Sequence, residues 1–110
     1  MTTWTNVCPL TDLVPDTGVC ALVEGKQVAV FRFGTGETIY AISNFDPFGK
    51  ANVLSRGITG SIGERPVVAS PLYKQHFDLS TGECLEDSDV SVEHFPVRID
   101  NGVVQVSASA

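Results

Sequence analysis

Val67-Val-Ala-Ser-Pro-Leu-Tyr-Lys-Gln-His-Phe-Asp-Leu-Ser-Thr-Gly82 holds two β-rich runs, Pro66–Ser70 and His76–Leu79, closed by the turn Thr81-Gly82. The same grammar extends in both directions. Turn residues recur every ten residues or so, at Asp16-Thr17-Gly18, Glu24-Gly25-Lys26, Gly34-Thr35-Gly36, Gly60, Gly63 and Asp100-Asn101-Gly102. Between them lie Gly18–Val23, Gln27–Phe33, Thr38–Ser43, Phe95–Asp100 and Val103–Ser107. Short strands at this spacing predict an all-β antiparallel barrel or sandwich. Val97–Asp100 and Val103–Val106 flank Asn101-Gly102, the favoured pair for a type I′ hairpin turn. Glu24-Gly25 marks a second hairpin. In Val28-Ala-Val-Phe-Arg-Phe33, Val28 and Val30 share one face with Arg32, and Ala29, Phe31 and Phe33 share the other. Arg32 at the end of its stripe predicts a strand leaving the core there. Only Pro9–Val14 reads as a helical turn, with Thr11 or Asp12 as its N-cap.

The 110 residues match the size of a single domain, so residues 1–110 are read as one unit. Hydrophobic residues at 43% and charged residues at 18% suit a packed interior. Seven Lys and Arg against 13 Asp and Glu leave a net charge of −6. Nucleic acid and anionic membrane surfaces both demand a basic footprint, so neither is an expected partner. No apolar run approaches the roughly 20 residues of a membrane span. The start, Met1-Thr-Thr-Trp-Thr-Asn6, lacks the basic segment of a signal peptide, and a cytoplasmic protein is expected. Cys8, Cys20 and Cys84 are odd in number and lack CxxC spacing, so they read as free thiols in a reducing compartment. His76 and His94 stand in no ligand-spaced group with them, and no metal site is expected.

The central segment, Asn44–Arg65, holds Pro47, Gly49, Gly57, Gly60 and Gly63 and reads as extended loops. Loops of that length inside a compact domain usually carry function. Ile39-Tyr-Ala-Ile-Ser-Asn-Phe-Asp-Pro-Phe48, taken with Val67–Gly82, resembles Rieske-type ferredoxin domains. In those, an Asn-x-Cys-Pro-His loop and a Cys-Pro-x-His loop hold a [2Fe–2S] cluster, with two Cys on one iron and two His on the other. The scaffold positions agree: Asn44, Pro47, Leu54-Ser-Arg-Gly57, Pro71, Phe77-Asp78 and Thr81-Gly82. The ligands do not. In register, the two Cys fall on Asp46 and Ser70, and the two His on Phe48 and Tyr73. The resemblance therefore implies a Rieske-like fold without its cluster.

Ile42-Ser-Asn-Phe-Asp-Pro-Phe48, Val53-Leu-Ser-Arg-Gly57, Ala69-Ser-Pro-Leu72, Trp4 and Thr17-Gly-Val-Cys-Ala-Leu22 are similar to the small subunits of cytoplasmic NAD(P)H-dependent nitrite reductases. That resemblance implies a non-catalytic partner of a large subunit, which carries FAD, a [4Fe–4S] cluster and sirohaem and reduces nitrite to ammonia in nitrate assimilation. It also implies no catalytic residue, cofactor or metal on this chain. Two other readings stay open: an electron-transfer ferredoxin with an irregular cluster, and a cluster-less protein-binding module unrelated to redox chemistry.

Each singled-out residue also has a plainer role. Asp46 before Pro47 either opens a turn or supplies a catalytic carboxylate. Phe48 either packs inward into the space a cluster would fill or contacts a partner. Ser70 and Tyr73 have no visible general base, which argues against a nucleophile. Phe48, Arg56 and Tyr73, with Lys74 at the rim, are the candidate partner-binding residues, because aromatic residues and Arg dominate interfaces. Glu86-Asp87-Ser-Asp-Val-Ser-Val-Glu93 reads as a solvated acidic loop without EF-hand spacing. His94 reads as a strand-end residue. Gly34-Thr-Gly36 leads into a strand, so no helix N-terminus is available for a phosphate.

Overall fold

The computed structural model describes residues 3–72 and 74–108. The elements are β1 (Thr5–Pro9), a 3-10 turn (Leu10–Asp12), β2 (Thr17–Val23), β3 (Lys26–Arg32), β4 (Ile39–Ser43), β5 (Phe45–Asp46) and β6 (Ala51–Asn52). A second 3-10 turn (Leu54–Arg56) leads to β7 (Ile58–Ile62), β8 (Arg65–Ala69) and β9 (His76–Asp78). β10 (His94–Phe95), β11 (Val97–Asp100) and β12 (Val103–Val106) complete the chain. Every pairing is antiparallel, in sheets ordered β10-β4-β3-β2, β1-β12-β11, β7-β8-β9 and β5-β6. No helix among the described residues is long and apolar enough to cross a membrane.

β3 is the wall between two cores, and its alternation assigns the sides. Val28 and Val30 pack with Leu13, Val23, Ala41, Phe95, Val104 and Val106. Ala29 and Phe31 pack on the other side, with Ile42, Leu54, Val68, Phe77, Leu79 and Cys84. The second core lies beneath the two long loops and fixes their roots. Burial of Phe31 or Phe77 contributes about 1.5–3 kcal/mol each. Both expected hairpins form. Glu24 and Gly25 at the first turn, and Asn101 and Gly102 at the second, all take positive φ, as type I′ geometry requires.

Four expectations need correction. Asn44–Arg65 is not all loop, because it contains β5, β6 and the five-residue strand β7. Gly57, Gly60 and Gly63 hide β7 in the sequence, yet its pairing from Ile58↔Ala69 to Ile62↔Arg65 supplies the ladder that propensity does not. β1 carries no strand signal of its own, and its pairing with β12 makes it a strand. The run Phe95–Asp100 is two strands in different sheets, broken at Pro96. The first 3-10 turn is preceded by Pro9, with no side-chain cap, so neither Thr11 nor Asp12 is its N-cap. Arg32 does leave the apolar stripe: its guanidinium donates to the carbonyls of Leu13, Thr35 and Gly36.

Candidate functional site at the loop tip

Two short connections meet above the second core, residues 47–50 between β5 and β6 and residues 70–75 between β8 and β9. They are built alike. In Asp46-Pro-Phe-Gly-Lys50, the Asp46 carboxylate accepts from the Phe48 and Gly49 N–H groups at 2.9 and 3.2 Å, and the Asp46 carbonyl accepts from Lys50 N–H at 2.7 Å. In Ser70-Pro-Leu-Tyr-Lys74, the Ser70 hydroxyl oxygen accepts from Leu72 N–H at 3.2 Å, and the Ser70 carbonyl accepts from Lys74 N–H at 3.1 Å. Both loops end on a lysine with left-handed backbone, φ 54° at Lys50 and 64° at Lys74. Such values are uncommon outside glycine and mark loops held by their own hydrogen bonds.

The loops are clasped to each other at their first residues. The Ser70 hydroxyl donates to Asp46 Oδ2, and both side chains are buried. Leu72 of the second loop lies over Gly49 of the first, so closely that a Cβ on Gly49 would fall 2.4 Å from Leu72 Cδ1. Asp46 therefore does what an Asp before Pro does at a turn, and adds a cross-link between loops. Phe48 faces inward, its ring 6.2 Å from that of Phe77 between centroids. Arg56 and Lys74 are exposed at the tip, and Tyr73 lies outside the described residues.

The other shared scaffold positions also have physical jobs. Asn44 is buried. Its Oδ1 accepts from Ser55 N–H at 2.7 Å, its carbonyl accepts from Leu54 N–H, and its Nδ2 reaches Gln27 and the Cys20 sulfur. It thus pins the turn that carries Arg56. Asp78 Oδ1 accepts from the N–H groups of Ser80 and Thr81 and from the Ser80 hydroxyl, while Oδ2 takes Arg65 Nε at 2.7 Å. That is the turn after Phe77-Asp78. His76 donates its backbone N–H to Glu86 and sets Nδ1 2.6 Å from the same carboxylate. The described cysteines are free, and burial pushes the Cys8 and Cys84 thiols up, away from reactive thiolate.

A [2Fe–2S] cluster does not fit this donor set. Phe48 has no ligating atom and is packed on Phe77. Asp46 and Ser70 offer oxygen where the cluster demands thiolate, and those oxygens already hold each other and the loop backbone. Among the described residues, no group of three or more His, Cys, Asp or Glu is placed to hold a metal ion.

Asp78 makes the site pH-sensitive in stability. Burial pushes its carboxyl up, but hydrogen bonds from Ser80 and Arg65 outweigh burial and hold it below the usual carboxylate range. A folded-state value below the unfolded one, near 3.9, gives stability that is complete above the unfolded value and lost as pH falls through the folded one. Asp78→Asn should cost about 1–3 kcal/mol at neutral pH. The gap to the parent should narrow below about pH 4. Urea midpoints from pH 7 to pH 2 measure it; an unchanged gap at the acid end would refute this role for Asp78.

Residues 3–107 match the family described as the Rieske-like [2Fe-2S] domain. The nitrite reductase (NADH) small subunit of Salmonella typhimurium is 50% identical over 106 residues, covering 96% of this chain and 98% of that one. The solution structure of the Escherichia coli protein NirD has a TM-score of 0.93 at 45% identity and covers 100% of each chain. Part of the NAD(P)H nitrite reductase large subunit of Klebsiella oxytoca is also similar, 40% identical over 103 residues, which is 94% of this chain and 11% of that one. The chain belongs to the Rieske-like [2Fe-2S] domain family and, within it, to the nitrite reductase (NADH) small subunits.

Proposed function

We propose that the chain is the accessory small subunit of a cytoplasmic NAD(P)H-dependent nitrite reductase serving nitrate assimilation. It binds and supports a large subunit bearing FAD, a [4Fe–4S] cluster and sirohaem, and holds no redox centre of its own. The observation that carries this is the clasp: the two positions where a cluster would need thiolates are a buried Asp46–Ser70 hydrogen bond. Multi-electron reduction of nitrite belongs to cofactors, and the described residues of these loops present no ligand set for one. The similarity to a stretch within a large subunit supports association, because in that relative a stretch like this chain shares one polypeptide with the rest of the large subunit. The tip is the docking end, where Arg56 and Lys74 are exposed.

The purified chain should carry iron and acid-labile sulfide near zero and show a flat visible spectrum. It should neither oxidise NAD(P)H nor reduce nitrite alone, and should co-purify with the large subunit from native cells. Stoichiometric iron on the folded chain would restore the electron-transfer ferredoxin reading. Capture of an unrelated partner alone would favour the binding module.

A further inference from the structure

We propose that the tip is a receptor for a carboxylate-bearing face of the large subunit, gripped by Lys50, Arg56 and Lys74 around exposed apolar side chains; this rests on the small-subunit reading above. The observation behind it is how the seven basic residues are used. Four serve the fold. Lys26 pairs with Glu93, Arg65 pairs with Asp78 and Glu83, and Arg32 donates to three carbonyls. Arg98 bonds Gln105 and stacks over Trp4, 4.4 Å from its ring centroid. The other three, Lys50, Arg56 and Lys74, are exposed, and their charged groups have no protein partner among the described residues. All three stand on the two tip loops and the turn that follows the first.

A chain of net charge −6 that keeps its free cations at one end is electrically polar. Such a field steers a complementary acidic surface to that end and repels it elsewhere. The geometry adds preorganisation. Lys50 and Lys74 start from equivalent, hydrogen-bonded backbone positions on either loop, so their roots are fixed before any partner arrives. Beside them, Arg56, Ile58, Ala69, Pro71, Lys74 and His76 line a cleft of about 390 Å³. Its rim is apolar, for Ile58 is 79% exposed and the neighbouring Leu72 47%. The His76 ring is already engaged by Glu86, which leaves Arg56 and Lys74 as the cleft's available cations. Three separated cations with apolar residues between them suit carboxylates set around an apolar side chain on a protein. An extended polyanion such as nucleic acid needs a longer basic track than this acidic chain offers. Phe48, turned onto Phe77, lies outside the receptor, and Lys50 takes its place among the anchors.

The test titrates the full chain against the large subunit at low and high salt. Parent affinity should fall as salt rises. Arg56→Ala/Lys74→Ala should bind at least about thirtyfold more weakly, with an unchanged melting temperature. Thr35→Glu/Thr38→Glu, which makes the net charge more negative by the same two units but in the β3–β4 connection, should bind within about threefold of the parent. Parent-like binding by the Arg56/Lys74 variant overturns the receptor while leaving the small-subunit reading intact. Equal weakening by both variants makes net charge the cause and also overturns it. No binding by the parent removes the small-subunit reading itself. An effect confined to self-association, seen by sedimentation, assigns the patch to a second copy and overturns the proposal.

Discussion

Asp46→Ala should lower the melting temperature by roughly 10–20 °C, from the loss of about 3 kcal/mol. The substitution removes one side chain and orphans three donors: the Ser70 hydroxyl and the N–H groups of Phe48 and Gly49. Ser70 is buried, so water cannot readily replace the lost acceptor, and each unsatisfied buried group costs about 1–3 kcal/mol. Asp46→Asn separates charge from geometry. Its amide oxygen still accepts from the two N–H groups, and its NH₂ can donate to Ser70 once that hydroxyl turns. It should recover about half of the loss. Ser70→Ala removes the inter-loop bond and the acceptor of Leu72 N–H but leaves the Phe48 and Gly49 N–H groups bonded, and should cost less than Asp46→Ala. Thermal melts of the three variants check the order. If Asp46 were a catalytic carboxylate with no structural duty, its removal would leave the melt unchanged, and that outcome would sink the clasp.

The strands were legible wherever local chemistry decides the backbone. Asn101-Gly102 announces its turn because few other pairs tolerate two positive φ values, and β3 announces itself by β-branched and aromatic density. β7 and β1 were not legible, because partners many residues away make them strands. The clasp was half visible. Asp46 before Pro47 reads as the opener of a turn, and its carboxylate does accept from the Phe48 and Gly49 N–H groups. That Asp46 and Ser70 bond to each other depends on how the loops meet, and spacing along the chain does not encode it. That Lys50, Arg56 and Lys74 have no ion-pair partner among the described residues was likewise hidden, because pairing is decided by which carboxylates the fold brings near. Asp78 and Glu83 are nearer in sequence to His76 and Lys74 than Glu86 is, yet it is Glu86 that reaches His76.

Gly57→Ala should destabilise the chain by about 3 kcal/mol and loosen the tip even where the fold survives. The reason is space rather than backbone freedom, since Gly57 has φ −74°, a value open to any residue. A Cβ there would lie 2.3 Å from the Ala69 carbonyl oxygen and 2.6 Å from Val68 Cγ2. The first neighbour is backbone of β8, paired to β7 through Ile58↔Ala69, and cannot swing aside as a side chain would. The turn Leu54–Arg56 must therefore lift away from β8. Leu54 is fully buried in the second core, so lifting strains that packing as well. Arg56 sits next to the displaced residue and Ala69 next to Ser70, so the same movement widens the cleft and pulls on the clasp. Gly60→Ala is the matched control on the same strand: a Cβ there meets nothing within 4 Å. It should stay within about 0.5 kcal/mol of the parent. Denaturant midpoints give the stability difference, and titration of folded Gly57→Ala against the large subunit gives the effect on docking. Equal midpoints for the two alanine variants would mean that β8 yields to the new methyl, and that the tip is not held in place by this contact.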